Sequence, residues 1–355
     1  MARALDLAIL GKPFAGPRPA VGAVITRGGR IVGLGFYRGH GTLHAEAEAL
    51  LMAGEHARGG TLYVTLEPHC YQGTQPPCTD RIMEAGIRRV VIASVDPNPR
   101  VNGKGVKQLL DAGLEVEVGL LDDEARAINP GHFKCHTAGL PYTVLKIATS
   151  MDGFMADSGG KSQWISCDES LDLSHTLRSE SCAVAVGVGT ILRDDPLLTP
   201  RRVYAPRMPA RIVLDSFLRT PLSAKVLNQD ARTILVTTHK APLDRAKKIE
   251  AMGHGVWVMG EKLDMEAILR KAVAEDMNTI LFEGGASVAR SLLGGPWLDE
   301  LWVCVAPIVL GGGISPFGGP YALDEAPGFK VKEVERVGKD VWFRLTKRLN
   351  QKEQQ

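Results

Sequence analysis

Three short segments carrying side chains that can bind a metal constrain this chain more than any other feature. They are His44-Ala45-Glu46, Pro68-His69-Cys70 and Pro76-Pro77-Cys78. Imidazole and thiolate groups are good ligands for Zn²⁺, and a nearby carboxylate that is not a ligand can transfer protons. Local patterns place His44 and Glu46 at the start of one predicted helix and Cys78 at the start of another. A shared metal site therefore requires a fold that brings two helix N-termini together.

These segments resemble the signature of zinc-dependent deaminases, in which H-x-E is followed by P-C and then by a second cysteine. The resemblance implies that His44 and Cys78 bind zinc and that Glu46 transfers protons. Directly after the proline this chain has His69, and Cys70 comes one residue later. The register favours His69 as the third ligand, whereas the softer thiolate favours Cys70, and both sets suit zinc. A third hypothesis is that this half has lost zinc and serves as a scaffold.

Composition limits the classes of protein to which the chain can belong. With 355 residues it is long enough for two domains, and its net charge of +2 favours neither nucleic acid nor membrane as a partner. No segment reaches the ~18 apolar residues of a transmembrane helix, and Met1–Leu10 lacks the pattern of a secretory signal. The six cysteines do not read as a disulfide framework. These features predict a cytoplasmic globular protein.

Hydrophobic patterning in the first half predicts alternating strands and helices. The predicted strands are Val21–Ile25, Ile31–Phe36, Thr61–Leu66 and Val90–Ser94. The predicted helices are Met1–Leu10, Ala45–Ala53, Thr79–Ala85 and Val106–Ala112. This order is typical of a mixed sheet with helices on both faces. The pattern breaks between Asn129 and Pro141, which predicts two domains, 1–140 and 141–349.

The second half shows another alternation, which predicts a largely parallel sheet with helices on both faces. Its predicted strands are Tyr142–Ala148, Ala183–Val188, Arg211–Leu214, Thr233–Thr237, Val256–Met259, Thr279–Phe282 and Leu301–Ala306. Its predicted helices are Asp168–Ser179, Met265–Ala274 and Ser287–Leu293. Val341–Leu345 is predicted as an additional antiparallel strand at the edge of the sheet.

Glycine-rich turns after predicted strands indicate a nucleotide-cofactor site in the second half. Glu283-Gly284-Gly285 leads directly into a helix, and paired glycines let backbone N–H groups approach a phosphate. Gly187-Val188-Gly189-Thr190 follows another strand. No G-x-G-x-x-G motif opens a βαβ unit, so the sequence does not support a Rossmann dinucleotide-binding fold.

The ordered set of motifs is similar to one family, the bifunctional riboflavin-biosynthesis deaminase/reductases, from about Arg3 to about Lys347. The motifs that carry the likeness are Pro19-Ala20-Val21-Gly22, His44-Ala45-Glu46, Leu66-Glu67-Pro68, Pro76-Pro77-Cys78-Thr79-Asp80, Asp96-Pro97-Asn98, Lys146 to Gly153, Gly189-Thr190 with Asp194-Asp195-Pro196, and Glu283-Gly284-Gly285. The resemblance implies an α/β chain with a cytidine-deaminase-like three-layer domain followed by a dihydrofolate-reductase-like domain.

The resemblance also implies two reactions. A zinc-dependent step removes the 2-amino group of a phosphoribosylated diaminopyrimidinone, with Glu46 as acid and base. An NADPH-dependent step then reduces the ribosyl side chain to ribityl, with Lys146 and Glu283 as catalytic residues. The implied substrate contacts are Ser162, Arg178, Leu198, Arg201 and Glu283. The implied NADPH contacts are Ala148, Trp164, Thr190, Asp194, Ser216 and the turn from Gly285 to Ser291. The family further implies a homo-oligomer.

Three positions depart from the family pattern, and all are predicted to lie near the metal. Arg18 stands where the family usually has asparagine, His69 where it has cysteine, and Tyr71 where it has histidine. If these changes abolish zinc binding, the chain is a reductase with a degenerate deaminase domain. A non-catalytic nucleotide-binding regulator and a nucleic-acid deaminase are further alternatives. The charged residues of the second half argue against the regulator, and the low net charge argues against the nucleic-acid deaminase.

Overall fold

The computed structural model describes residues 1–162, 165–318, 321–322, 324 and 326–347. The chain divides into two compact units, of which the first is Met1–Leu140 and the second begins at Pro141. Each unit is an α/β structure built on its own sheet. Within the described residues, no helix has the length and apolar character needed to cross a membrane.

The first unit has a mixed sheet. Its strands are β1 (Gly22–Arg27), β2 (Arg30–Phe36), β3 (Thr61–Leu66), β4 (Arg89–Ser94) and β5 (Glu115–Val118). Their order is β2-β1-β3-β4-β5, in which β1 runs antiparallel to both neighbours while β3, β4 and β5 are parallel. Its helices are α1 (Ala2–Ala15), α2 (Ala45–Ala53), α3 (Cys78–Glu84), α4 (Lys104–Asp111), α5 (Asp122–Ile128) and α6 (Pro130–Ala138).

Helices cover both faces of this sheet. On one face, Ala45, Ala49 and Ala53 of α2 form a core with Ile82 of α3, Leu109 of α4 and Ile25 of β1. On the other face, Leu7 of α1 packs against Val24. Neighbouring residues of a strand point to opposite faces, so Val24 and Ile25 enter different cores. The predicted three-layer arrangement is confirmed.

Some elements of the first unit differ from the prediction. The segment between Asn129 and Pro141, predicted as a break, contains α6, which begins at Pro130. Proline is tolerated there because the first N–H groups of a helix have no partner within it. Helix α3 begins at Cys78 itself rather than after it. The short strand β5 alternates glutamate and valine and is mostly exposed at the sheet edge, so hydrophobic patterning did not reveal it.

The second unit has a nine-stranded sheet. Its strands are β6 (Tyr142–Ser150), β7 (Ala183–Gly187), β8 (Ala210–Leu214), β9 (Thr233–Thr237), β10 (Gly255–Val258), β11 (Thr279–Glu283), β12 (Glu300–Ala306), β13 (Phe329–Val337) and β14 (Asp340–Lys347). Their order is β10-β9-β8-β7-β11-β6-β12-β14-β13. Its helices are α7 (Asp168–Glu180), α8 (Val188–Asp194), α9 (Leu243–Ala251), α10 (Met265–Ala274) and α11 (Ala286–Gly294).

The strands from β10 to β12 in this order are parallel, as predicted. The predicted edge strand Val341–Leu345 lies within β14 and pairs antiparallel with β12. The prediction that it forms the edge is wrong, because β13 pairs with its other side. Nearly all of β13 is exposed, so its sequence lacks the alternation of a half-buried strand.

Strand β11 lies between β6 and β7, although all three run parallel. The chain therefore proceeds outward from β7 to β10 and then returns to insert β11 beside β6. Glu283, the last residue of β11, pairs with Lys146 of β6, and Gly187 ends β7. Ligands of open α/β sheets bind outside the carboxyl ends of the strands where the strand order reverses. This reversal brings the glycine turns of the second half to such a position.

Candidate active sites

The structure brings His44, His69 and Cys78 together. One ligand atom from each lies within 4.8 Å of the other two, and the Cys78 Sγ is 3.4 Å from the His44 Nδ1. His44 directly precedes α2, Glu46 is the second residue of that helix, and Cys78 is the first residue of α3. His69 comes from the loop after β3. Two helix N-termini and a strand end therefore meet around one cluster.

His69, rather than Cys70, completes this cluster among the described residues. The His69 carbonyl accepts the Cys78 N–H at 3.0 Å, which ties its loop to the start of α3. The His69 Nδ1 is buried and has no hydrogen-bond partner among the residues that the structure describes. A buried ring nitrogen without a partner is costly unless it binds something. Its position beside the His44 ring, with ring centroids 4.6 Å apart, fits a metal ligand.

The electrostatics of the cluster also fit a divalent cation. Burial, assisted by the charges of His69, Arg18 and Arg81, lowers the pKa of His44 to about 4, so its imidazole is neutral at physiological pH. Burial and then the Glu46 charge raise the pKa of Cys78 well above its ordinary value. Burial also raises the pKa of Glu46, which is 5% exposed. A bound cation would offset both effects and favour the thiolate and the carboxylate.

Helix α2 lies unusually close to β2, and this approach places His44 and Glu46. A Cβ added at Gly35 would lie 2.1 Å from the carbonyl oxygen of Ala45, and one at Gly33 would lie 2.2 Å from that of Ala49. Both obstacles are backbone atoms that cannot move independently. Glycine at these two positions is therefore required for the spacing between helix and strand.

Gly35→Ala is expected to lower the free energy of unfolding by about 1–3 kcal/mol, because the added methyl group overpacks the contact between β2 and α2. It should also lower the metal content, since the displaced helix carries His44. Circular dichroism melting and metal analysis measure the two effects. Gly312→Ala is a matched control because nothing lies within 4 Å of its added Cβ. A variant at Gly35 that matches the wild type in both measurements would contradict the prediction.

Of the three departures from the family pattern, His69 belongs to this cluster, and Tyr71 and Arg18 act on its residues. The Tyr71 ring contacts the His69 ring edge-on, with centroids 5.6 Å apart. The guanidinium of Arg100 lies 3.8 Å from the centroid of Tyr71, on its face. Arg18 is exposed, and its charge contributes to the low pKa of His44. Tyr71 therefore packs against one cluster residue and is held by a cation–π contact that sequence analysis did not find.

A buried glutamate organises the loops beside the cluster, and its role was also missed from sequence. Glu67 is 4% exposed. Its carboxylate accepts backbone N–H groups from Asp96 at 3.2 Å, Gly103 at 2.9 Å and Val106 at 3.1 Å. These three hydrogen bonds fix the position of the carboxylate and tie together the loops that donate them. The motif Leu66-Glu67-Pro68 was informative, but the partners of Glu67 follow it by about thirty residues or more.

In the second unit, Arg178 of α7 and Glu283 of β11 form a buried, bidentate ion pair. The Arg178 Nε and one terminal nitrogen donate to the two carboxylate oxygens at 2.6 and 2.7 Å. Lys146 lies opposite Glu283 in the strand register. Burial opposes ionisation of Glu283, but the charges of Arg178 and Lys146 hold its pKa below the ordinary value. Burial lowers the pKa of Lys146, although Glu283 opposes the shift.

The turn after β11 forms a small cradle next to this pair. Gly284 and Gly285 have φ values of 59° and 71°, which are strained for residues other than glycine. A Cβ at either position would lie 3.3 Å from the Thr190 Oγ1 of α8. The turn leads into α11, whose first N–H groups are free to meet a phosphate. These observations fit a bound nucleotide cofactor.

The other described residues predicted to contact NADPH lie on β6, on α8 or after β8. Ala148 lies two residues beyond Lys146 on β6, on the same face. Ser216 follows β8 by two residues, and its carbonyl accepts the Thr238 hydroxyl at 2.8 Å. Asp194 is the last residue of α8 and is half-buried, and burial raises its pKa. Thr190, from the same helix, meets the glycine turn.

The residues predicted to contact the substrate differ widely in their exposure. Leu198 has a φ of 59° and is only 1% exposed within the hydrophobic core of the second unit. Arg201 is exposed, and Ser162 is half-buried. Trp164, predicted as an NADPH contact, lies outside the described residues.

A three-layer domain with a His-His-Cys cluster and a buried glutamate, joined to a domain with a cofactor cradle beside a buried ion pair, defines a two-domain deaminase and reductase. Residues 141–343 match the family model of the RibD C-terminal domain, and residues 1–94 match that of the cytidine and deoxycytidylate deaminase zinc-binding region. The chain belongs to the RibD family of riboflavin biosynthesis proteins. Its fold is cytidine-deaminase-like in the first domain and dihydrofolate-reductase-like in the second, as predicted.

Relatives match over nearly their whole lengths. The riboflavin biosynthesis protein RibD of Aquifex aeolicus is 43% identical over 96% of this chain and 96% of its own. The RibD protein of Escherichia coli is 37% identical over 97% of this chain and 98% of its own. The solved structure of Acinetobacter baumannii RibD (form 1) superposes with a TM-score of 0.92 at 32% identity, covering 98% of both chains. A Thermotoga maritima structure, a diaminohydroxyphosphoribosylaminopyrimidine deaminase/5-amino-6-(5-phosphoribosylamino)uracil reductase, gives a TM-score of 0.85 at 34% identity, covering 98% and 97%.

Proposed function

We propose that this RibD protein deaminates diaminohydroxyphosphoribosylaminopyrimidine with zinc and then reduces 5-amino-6-(5-phosphoribosylamino)uracil with NADPH. The Thermotoga relative is named for these two activities. The observation that carries the proposal is the cluster of His44, His69 and Cys78 beside the buried Glu46. A reductase with a degenerate deaminase domain is not favoured, because both domains are present and the cluster retains three potential ligand atoms.

In the first reaction, His44, His69 and Cys78 would hold the metal, and Glu46 would move protons. Zinc, when bound, supplies a Lewis acid that makes water nucleophilic near neutral pH. Glu46 is close to the metal ligands but is not needed as one. As a buried carboxylate beside the ligands, Glu46 would take up a proton from water and deliver it to a ring nitrogen or to the departing amine. The site thus separates metal binding from proton transfer.

In the second reaction, the cradle formed by Gly284, Gly285 and Thr190 would hold a phosphate of NADPH, which would supply the hydride. Arg178 fixes the Glu283 carboxylate, and Lys146 lies across from it in register. The Lys146 ammonium can give a proton to the oxygen of the reduced carbonyl, and its lowered pKa favours that transfer. The exposed Arg201 is free to meet the substrate phosphate.

We place the enzyme in the cytoplasm. None of the six cysteines forms a disulfide, as expected in a reducing compartment. The low net charge of +2 offers no electrostatic basis for nucleic acid as a partner, so the expected partner is the small phosphorylated pyrimidine.

Metal analysis of protein purified without added metal tests the deaminase half. About one zinc per chain is expected for the wild type, since such catalytic sites bind a single ion through three protein ligands. His69→Ala should lose the zinc because it removes the ring that completes the cluster. Cys70→Ala is the matched control and should keep it. Zinc that survives in His69→Ala but is lost in Cys70→Ala would assign the third ligand to Cys70, and a zinc-free wild type would leave only the reductase.

A further inference from the structure

Trp342 of β14 lies on the opposite side of Lys146 from Glu283 in the order of the strands. Lys146 pairs with Glu283 of β11 on one side and with Trp302 of β12 on the other. Beyond β12 comes β14, in which Trp342 pairs with Cys304. Opposed residues share a face of the sheet, and so do residues two apart on a strand, so Lys146 and Trp342 lie on the same face.

The indole ring of Trp342 reaches back across β12 to Lys146. The Lys146 Nζ lies over this ring, 5.9 Å from its centroid. An aromatic face attracts an ammonium group at distances up to about 6 Å. A lysine side chain is a flexible four-carbon stem, so attraction to the Glu283 carboxylate alone leaves its ammonium several positions. The ring restricts these positions on the side away from Glu283.

Hydrogen bonds hold the indole ring in this position. Trp342 is 1% exposed, and its Nε1 donates to the Ser170 Oγ at 2.9 Å. The Ser170 hydroxyl donates in turn to the Asp340 Oδ2 at 2.6 Å. The Trp302 ring meets the Trp342 ring edge-on, with centroids 6.0 Å apart. Rotation of the indole would therefore leave buried polar groups unpaired and break the contact between the rings.

The same carboxylate anchors the start of α7. The Asp340 Oδ2 also accepts the N–H of Cys167, the residue just before this helix, at 2.8 Å. That N–H needs an acceptor, which is often a glutamate of the helix itself, and here a residue of β14 supplies it. Arg178 lies near the other end of α7 and binds Glu283. One set of buried hydrogen bonds thus supports both Arg178 and the ring beside Lys146.

We propose that Trp342 is a positioning residue of the reductase site, whose ring holds the Lys146 ammonium toward Glu283. The proposal rests on the proposed role of Lys146 as the proton donor of the reduction. Without the ring, the ammonium gains positions from which it cannot reach the oxygen of the reacting carbonyl. The rate of reduction then falls, while the binding of NADPH does not change.

Trp342→Leu and Trp342→Phe in the full-length protein separate positioning from stability. Both lose the hydrogen bond to Ser170 and some buried volume, so both should melt at a lower temperature, but only phenylalanine keeps an aromatic face. Trp342→Leu should lower the kcat of the reduction about tenfold or more, the scale of a cation–π contact, with an unchanged KM for NADPH. Trp342→Phe should recover most of that loss. NADPH oxidation with 5-amino-6-(5-phosphoribosylamino)uracil measures both constants.

Trp257→Leu is the matched control. Trp257 is 5% exposed on β10, and the Lys271 Nζ lies over its ring at 5.4 Å from the centroid. Four strands separate β10 from β6 in the sheet. This variant loses the same kind of contact away from Lys146, so its melting temperature should fall and its kcat should not.

A spectroscopic measurement tests the contact between Lys146 and the ring without any activity. Protons that lie over an aromatic face resonate upfield. In protein labelled with ¹³C at the lysine ε-carbons, the Lys146 signal is the one that disappears in Lys146→Met. It should lie upfield of the signals of exposed lysines, stay upfield in Trp342→Phe, and move to the ordinary position in Trp342→Leu.

The outcomes separate this inference from the function on which it rests. A wild type that does not reduce the substrate would overturn the proposed function. Three results would overturn the positioning role alone: Trp342→Leu with the kcat of the wild type, Trp342→Phe as slow as Trp342→Leu, or a Lys146 signal that Trp342→Leu leaves in place.

Discussion

Glu46→Gln should lower the rate of deamination by about a thousandfold, within the 10²–10⁴ that general acid–base catalysis contributes. Glutamine has nearly the same shape and fills the same buried position, but it can neither accept nor release a proton. The zinc content should stay at the wild-type level, because Glu46 is proposed as a proton carrier and not as a ligand. Deamination measured as ammonia release, together with metal analysis on the same preparation, checks both statements.

Glu48→Gln is the matched control for this variant. Glu48 lies two residues further along α2, where its carboxylate accepts the Phe36 N–H at 2.8 Å and pairs with Arg38 at 3.1 Å. Glutamine preserves the acceptor, so deamination should change little. A Glu46→Gln enzyme that deaminates at the wild-type rate would remove Glu46 from the chemistry. Loss of zinc from the same variant would assign it to the metal instead.

The first site was largely predictable because its residues are carried by local motifs. His44 and Glu46 belong to one helix start and Cys78 to another, and patterning alone located both helices to within one residue. Register favoured His69 over Cys70, but the sequence left both possible, because it does not show the direction in which neighbouring loop side chains point. The contact of Arg100 with Tyr71 joins two loops and leaves no local signal.

The second site depends on topology that the sequence does not reveal. Arg178 and Glu283 are 105 residues apart, and they meet because β11 inserts between β6 and β7. Hydrophobic patterns indicate which segments form strands but not the order in which those strands pair in the sheet. Strand β13 was missed for a different reason, since a strand exposed on both faces has no hydrophobic alternation to detect. Prediction was therefore best for helices and strands that bury one face, and for site residues that belong to one local segment.

Glu283→Gln should abolish most of the reductase activity and lower the free energy of unfolding of the second domain by about 3–5 kcal/mol, the usual cost of breaking a buried ion pair from one side. Arg178 and Glu283 are only 13% and 10% exposed, so water cannot replace the lost partner. The guanidinium and the Lys146 ammonium would be left without their shared anion. Urea unfolding followed by tryptophan fluorescence reports on this domain specifically, because all five tryptophans belong to it.

The double variant Glu283→Gln/Arg178→Met separates stability from catalysis. Removing both charges together avoids the unpaired guanidinium, so much of the lost stability should return, while the reductase activity should not.

The dependence of stability on pH provides an independent check that ionised Glu283 stabilises the fold. The pKa of Glu283 is lowered on folding, so its stabilisation is present above the ordinary value of 4.5 and is lost as the pH falls through the folded pKa. Wild-type protein should therefore lose stability below about pH 4.5 more steeply than Glu283→Gln does. Equal slopes would show that Glu283 is not the anion that stabilises the domain. A double variant that regains reductase activity would show that the ion pair is not part of the reducing site.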